Sequence, residues 1–360
     1  MSSLIAGVCK IEEIQPHLNA DRLEMARIRN WWCVVKKGEF IVGEKVVYIP
    51  PETVVPNEVA EAWGVARYCS VLPKLGDKTR PKGLRVRACR LRGVPSQGLI
   101  LIPEDNSWEL GHSVVEHYQL KKYEPPEPPN AGEALAAPAN FVRYTNIEHI
   151  GNFPNTFQKG EEVVVDEKIH GTNARAGYIR NALQDNEMAF VAGSHRQLLK
   201  EISDKGMRST YWITMTNEMR SLLQHLSGDT EKDVIVFCEI FGRKIQDMEY
   251  GMSDVGYRAY DIAIDGQYMD YDPKMALFEK FNIPVVPNLY RGPFSFSKME
   301  ELVDGDTQLC DPQKAGRFSG REGIVIRPVL EGIDSLIGRR ILKMISVDYH
   351  ERGGETTEYH

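Results

Sequence analysis

Residues 163–178 read VVVDEKIHGTNARAGY and place one lysine, Lys168, behind three valines and two acids, directly ahead of Ile169, His170, Gly171, Thr172 and Asn173. Consecutive valines mark a buried strand, and an ammonium group this close to one loses hydration. Either Lys168 caps the strand at the surface, or its amine works in a dry site. A free lysine has a pKa of about 10.4, so roughly one in a few thousand is a neutral amine at pH 7. Burial beside a strand, with cationic neighbours, favours the uncharged form and prepares the nitrogen to attack an electrophile such as phosphorus.

Other chemistry-bearing residues recur at the ends of strand-like runs. They are Ser194, His195 and Arg196; Glu239 in FCEIFG; Tyr260 and Asp261 in AYDI; Glu322 in REGIVIRP; and Lys343 in ILKMIS. Singly, each has an ordinary structural reading. Glu239 suits a strand residue paired to a surface lysine, Tyr260 a core aromatic, His170 a satisfied polar group and Lys343 an exposed strand charge.

Taken together and in this order, these residues resemble the motif set of the covalent nucleotidyltransferases, the superfamily of ATP-dependent DNA and RNA ligases and mRNA capping enzymes. Lys-x-His-Gly-Thr-Asn in place of the Lys-x-Asp-Gly of DNA ligases and capping enzymes is similar to the RNA ligase 2-like branch, which joins 3′-hydroxyl and 5′-phosphate ends. The resemblance spans residues 141–348.

It implies that Lys168 becomes lysyl-AMP and that pyrophosphate leaves. By the same resemblance His170 lies near the phosphates, Glu167, Gly171 and Asn173 belong to the nucleotide site, Glu239 accepts from a ribose hydroxyl and Tyr260 stacks on adenine. Glu322 helps hold a divalent cation, Mg2+ or Mn2+, while Lys343 and Arg196 neutralise the phosphates in flight. Family members often carry two lysines two residues apart in the last motif. Here Ile341 and Ile345 flank Lys343, and the missing charge is expected from Arg339 or Arg340.

These residues must be positioned by strands at 161–169, 187–195, 233–242, 257–265 and 321–328, interleaved with helical segments at 209–227 and 272–282. Mixed strands and helices over this length predict an α+β domain with antiparallel sheets and flanking helices. Ahead of it, residues 121–140 read KKYEPPEPPNAGEALAAPAN, a proline-rich stretch expected to be extended chain. The expected division is therefore 1–124, a linker at 125–140, and 141–360.

The first 120 or so residues are short strand-like runs broken by Gly, Pro, Asn and Asp, which predicts a five-stranded OB-like barrel. NADRLEMARI, GEKVVYIPPETVVP and RLRGVPSQGLIL resemble the OB-fold modules of the tRNA-binding type appended to some aminoacyl-tRNA synthetases. Between residues 67 and 92 stand Arg67, Lys74, Lys78, Arg80, Lys82, Arg85, Arg87, Arg90 and Arg92, opposed by Asp77 alone. Such a stretch suits phosphate contacts, with Arg85, Arg87, Arg90 and Arg92 as the RNA-binding candidates; its ordinary alternative is a solvated barrel edge.

The whole chain restrains these readings. Its 360 residues are 42% hydrophobic and 26% charged with a net charge of −7, values of a globular protein with no global pull toward nucleic acid. Six scattered cysteines with no Cys-x-x-Cys pair, strand-sized apolar runs and no secretory signal predict an intracellular protein, cytoplasmic or nuclear, without a membrane span. The short stretch after Ser346 leaves no room for a trailing domain, so the architecture resembles the ATP-dependent RNA ligases with an amino-terminal OB domain.

The expectation is an ATP-dependent RNA ligase, acting as a monomer on nicked duplex RNA. Two alternatives remain: a capping-type guanylyltransferase, and an RNA-binding protein with an inactive nucleotidyltransferase domain.

Overall fold

A computed structural model describes residues 4–71, 83–123, 133–180, 187–316 and 318–352. The described chain divides into two units: residues within 4–123, 148–155 and 347–352 form the first, and those within 133–147 and 156–346 the second.

The first unit is built from short antiparallel strands. Lys45–Ile49 lies between Gly7–Lys10 and Leu99–Leu101, and Leu23–Ile28 lies between Glu13–Pro16 and Trp31–Lys36. Val46, Val47, Tyr48 and Ile49 are all buried. This strand is apolar without alternation because it is covered on both faces. One side packs with Ile11, Ala26, Ile28, Trp31 and Cys33 in the barrel core, and the other with Val55, Ala60, Val86, Trp108 and Leu120. Within residues 84–93 the chain forms two short strands, Leu84–Arg85 and Ala88–Leu91.

The second unit holds two antiparallel sheets. In one, Thr172–Arg180 lies between Met188–Ser194 and Val234–Gly242, and Val255–Ile264 follows outside the latter. In the other, Glu162–Lys168 lies between Asn288–Pro293 and Gly323–Pro328, and Leu342–Ile345 pairs with the latter. Phe141, Tyr144, Val191, Phe237 and Ala263 meet Val325 and Ile341 in a core between the sheets. The far face of the larger sheet packs Ala174, Ala176, Val236, Cys238 and Ile240 against Met219, Leu222, Leu223 and Phe278 from two helices.

Those helices are Asn217–Ser227 and Tyr271–Lys280. The sequence expectation of one helix over 209–227 resolves into a 3-10 turn at Thr210–Thr214 and then the α-helix. Ser209 and Thr216 each cap a helical start, the hydroxyl of Thr216 accepting from the Met219 amide at 3.2 Å. Gly228 ends the helix at a positive φ of 58°.

Three departures from the expected boundaries have local causes, the first being residues 148–155, which group with the first unit, where Trp31 stacks on His149 at 4.2 Å. The linker reading at 125–132 lies outside the described residues, while Ala134–Leu135 already pairs with Leu198–Leu199 as an edge strand of the larger sheet. The helix Val347–Glu351 groups with the first unit, where Arg90 binds Asp348 at 2.6 Å and Glu351 at 3.6 Å.

Candidate active site

Lys168 is the last residue of its strand and stands opposite Gly323. That register brings it beside Glu322, and the Lys168 ammonium donates to Glu322 Oε1. The lysine side chain is 15% exposed and the glutamate 1%. Among the described residues the other oxygen, Oε2, is buried and has no hydrogen-bond partner. Lys343 lies opposite Val325 on the next strand, two positions along the ladder from Gly323 and therefore on the same sheet face as Lys168.

The facing sheet supplies the next group. Asn173 stands opposite Glu239, and its amide Nδ2 donates to the Tyr260 hydroxyl. Asn173 Oδ1 is buried and, among the described residues, unbonded. The ladder pairs Phe237 with Asp261 but Cys238 with Ala259, which makes Tyr260 the extra residue of a β-bulge. A bulge re-aims side chains, and here the consecutive residues Tyr260 and Asp261 project on the same side. Burial pushes the Glu239 carboxyl well above the usual carboxylate range; the nearby Lys168 ammonium opposes this shift and the Glu322 charge reinforces it.

Gly171 lies where a Cβ would strike the Ile240 carbonyl and press on Glu239. Only glycine lets the turn after Lys168 pass this close to the neighbouring strand. One loop grips this turn. Tyr250 accepts from the His170 amide at 2.7 Å, Gln246 donates to the Gly171 carbonyl at 2.9 Å, and His170 Nε2 lies 2.6 Å from Asp247 Oδ1.

The structure directs other candidates elsewhere. Glu167 alternates to the opposite sheet face, where its buried carboxylate accepts from the Thr307 hydroxyl and the Gln308 amide. Its side chain is thereby turned from Lys168. Asp261 is fully buried and gathers Lys274, Arg327 at 3.0 Å and Arg339 at 2.9 Å, which hold its carboxyl well below the usual range. Arg339 also binds Glu331, and Arg340 binds Glu161 at 2.8 Å. Both arginines offered as replacements for the missing lysine are thus engaged with acids.

Ser194 ends its strand, and its hydroxyl accepts from the Arg196 and Gln197 amides. Arg196 is exposed. Beneath this turn Arg175, 1% exposed, donates to the carbonyls of Phe141, Val142, Ser194 and Gln197. Burial, with Arg175, Arg143 and Arg196 close by, pushes the His195 imidazole down to about 4.

In the first unit the four arginine candidates separate. Arg85 is a correction: it is 5% exposed, bound to Glu52 and laid over the Tyr123 ring, because its strand turns that side chain inward. Arg87 donates to the His350 carbonyl, and Arg90 is held by Asp348 and Glu351. Arg92 is exposed, in the turn between Ala88–Leu91 and Val94–Gln97. Lys74, Lys78, Arg80 and Lys82 lie outside the described residues.

Comparison with known proteins matches residues 161–345, more than half of the chain, to the RNA ligase family. The chain belongs to the RNA ligase family. Residues 5–103 match an OB-fold domain. No curated protein sequence gives a significant match. Among solved structures the chain is similar to the Naegleria gruberi RNA ligase. A mutant with AMP and Mn shares 23% identity at a TM-score of 0.75, over 98% of this chain and 99% of that one. For a mutant with ATP and Mn the values are 23% and 0.74, over 97% and 99%. The same ligase with PPi gives 24% and 0.74, over 97% and 98%.

Several residues of this RNA ligase family member escaped the sequence reading. Gln246, Asp247 and Tyr250 contact the turn after Lys168, and Tyr211 meets Thr172 at 3.0 Å. The signal available for the first three was a polar stretch bracketed by Gly242 and Gly251, directly after the strand bearing Glu239. Arg175 left none: one arginine in an alternating strand reads as a surface charge.

Proposed function

We propose that this enzyme is an ATP-dependent RNA ligase that seals breaks bearing 3′-hydroxyl and 5′-phosphate ends, with nicked duplex RNA as its substrate. The observation that carries this reading is the partly buried Lys168 held by Glu322, with Asn173 and Glu239 paired on the facing sheet. The relatives solved with ATP, AMP and PPi support ATP as the donor.

In the first step Lys168 Nζ, after its ammonium proton has been released to solvent, attacks the α-phosphorus of ATP as the neutral amine, forming a P–N bond as the bond to pyrophosphate breaks. A 5′-phosphate oxygen of the RNA then takes AMP from the lysine, giving A(5′)pp(5′)N. Finally the 3′-hydroxyl oxygen attacks the 5′-phosphate phosphorus and AMP leaves. Phosphoryl transfer asks mainly for position and charge.

The side chains divide these tasks. Asn173 offers its unbonded carbonyl oxygen to the nucleotide, Tyr260 presents an aromatic face for adenine, and Glu239 offers a carboxyl to the ribose. Lys343 supplies positive charge on the sheet face of Lys168. Arg196 supplies the second positive charge toward the phosphates.

The residues fit a divalent cation, Mg2+ or Mn2+. Among the described residues no group of three or more His, Cys, Asp or Glu is arranged to hold a metal. Glu322 Oε2 nevertheless has no hydrogen-bond partner among the described residues, and magnesium is commonly bound by one or two carboxylates completed by substrate phosphates and waters. Glu322 would hold the cation, which when bound neutralises phosphate charge.

The first unit is read as the RNA-holding module, with Arg92 as its exposed arginine candidate. All six cysteines are unpaired, which supports an intracellular enzyme, cytoplasmic or nuclear. Among the described residues no helix is long and apolar enough to cross a membrane. We read the enzyme as a monomer.

The test is incubation with α-labelled ATP or GTP and a divalent cation, followed by denaturation. Stable label from ATP is expected. Label from GTP would select a capping-type enzyme, and none from either an RNA-binding protein. Lys168→Met, which keeps an apolar chain of similar length without the amine, should lose the label and all joining.

A further inference from the structure

The strand Val234–Gly242 is followed by a loop whose side chains converge on His170 and Gly171. Asp247 is the acid in that group. Its 2.6 Å contact to His170 Nε2 joins a carboxylate that is 32% exposed to an imidazole that is 2% exposed. We propose that Asp247 is a positioning residue for His170, fixing the ring proton on Nε2 and the ring's orientation two residues from Lys168. The proposal deepens the ligase reading above and rests on it.

Three further observations carry it. A carboxylate on one imidazole nitrogen selects the tautomer and the plane of the ring, and so governs what the other nitrogen presents. The same loop binds both peptide groups around the turn, through Tyr250 to the His170 amide and Gln246 to the Gly171 carbonyl, so Asp247 acts on a ring whose backbone is already anchored.

Finally, the loop stores backbone strain. Lys244 and Tyr250 take positive φ angles of 62° and 52°, and Tyr250 is buried with its ring edge-on to Phe241 at 5.3 Å. A bulky residue keeps that conformation only where its surroundings over-determine it, a condition concentrated at functional sites. Because Asp247 is one-third exposed, a core-packing role does not account for its placement.

The experiment is a double-mutant cycle on the full chain, read by single-turnover formation of lysyl-AMP from α-labelled ATP with Mn2+. Asp247→Ala should slow the step about ten- to a hundredfold, the range for removing a carboxylate that orients a histidine. The double variant with His170→Gln should be no slower than His170→Gln alone. Losses that multiply would overturn the proposal, since Asp247 would then act independently of His170. Where Asp247→Ala does not fold, Asp247→Asn replaces it, keeping shape and removing charge.

Long-range nitrogen spectra of ring-labelled histidine give a readout that needs no turnover. The wild-type His170 ring should be protonated at Nε2, and Asp247→Ala should mix the tautomers. A wild-type ring protonated at Nδ1 alone, or a spectrum unmoved by the substitution, sinks the proposal. A wild type that forms no lysyl-AMP refutes the ligase reading instead, while the spectra still decide whether Asp247 fixes the ring.

Discussion

Lys168 and Glu322 form an ion pair across neighbouring strands, set by a ladder that places Lys168 opposite Gly323. The lysine is therefore neither a solvated cap nor an amine in an apolar slot. Its carboxylate partner holds it at the strand end and keeps a second oxygen available.

Glu322→Ala removes both the lysine's partner and the proposed cation ligand. Lysyl-AMP formation should fall about a hundredfold or more in single-turnover labelling, with the melt showing a folded protein. Normal labelling would remove the metal assignment.

Asp261 faces three cations, so Asp261→Asn leaves buried Lys274 with its charge uncompensated and takes one of two carboxylate partners from Arg327 and Arg339, which retain Asp166 and Glu331. A loss of about 3–5 kcal/mol in denaturant unfolding is expected. A midpoint within error of wild type would mean that the cluster relaxes.

His195 makes stability depend on pH. Its folded pKa of about 4 lies below the ordinary 6.5, so the unfolded chain binds the proton more tightly. The resulting stability is fully present above pH 6.5 and is lost as pH falls toward about 4, by at most about 3 kcal/mol. Unfolding measured across that window should flatten in His195→Gln, and equal slopes in the two proteins would contradict the assignment.

Charge reversal should separate two arginines of the first unit. Arg85→Glu sets a second carboxylate against Glu52 in a buried site and should cost about 3–5 kcal/mol of stability. Arg92→Glu should change the melt by less than about 1 kcal/mol. If Arg92 meets a phosphate, its reversal lowers the salt slope of RNA binding by roughly 0.7–0.9. An unchanged slope would exclude Arg92 from the contact.

Five strands of the second unit and the place of Lys168 were readable because they depend on local pattern: the valine run, the glycine after His170 and acids at strand ends. Antiparallel sheets followed from the apolar runs at 161–169, 187–195, 233–242, 257–265 and 321–328, whereas Thr172–Arg180, the strand between Met188–Ser194 and Val234–Gly242, and Asn288–Pro293 were not read as strands. What escaped depends on contacts distant in sequence. Asp247 becomes meaningful only beside His170, 77 positions away, and Arg85 is drawn inward by Glu52, 33 positions away. Glu167 shares a motif with Lys168 yet faces Thr307, because neighbours on a strand point to opposite sides.

The extra residue at Tyr260 also breaks a symmetry of the ladder. In a regular antiparallel pair, sliding one strand by two residues returns every side chain to its former face, so a wrong alignment can hide behind a correct inside and outside. Here that slide would carry the bulge away from the junction of Phe237 and Cys238, separating Tyr260 from Asn173 and Asp261 from its three cations. The irregularity acts as a phase mark: Val255–Ile264 has one alignment against Val234–Gly242 that satisfies both groups, and shifted pairings lose both together.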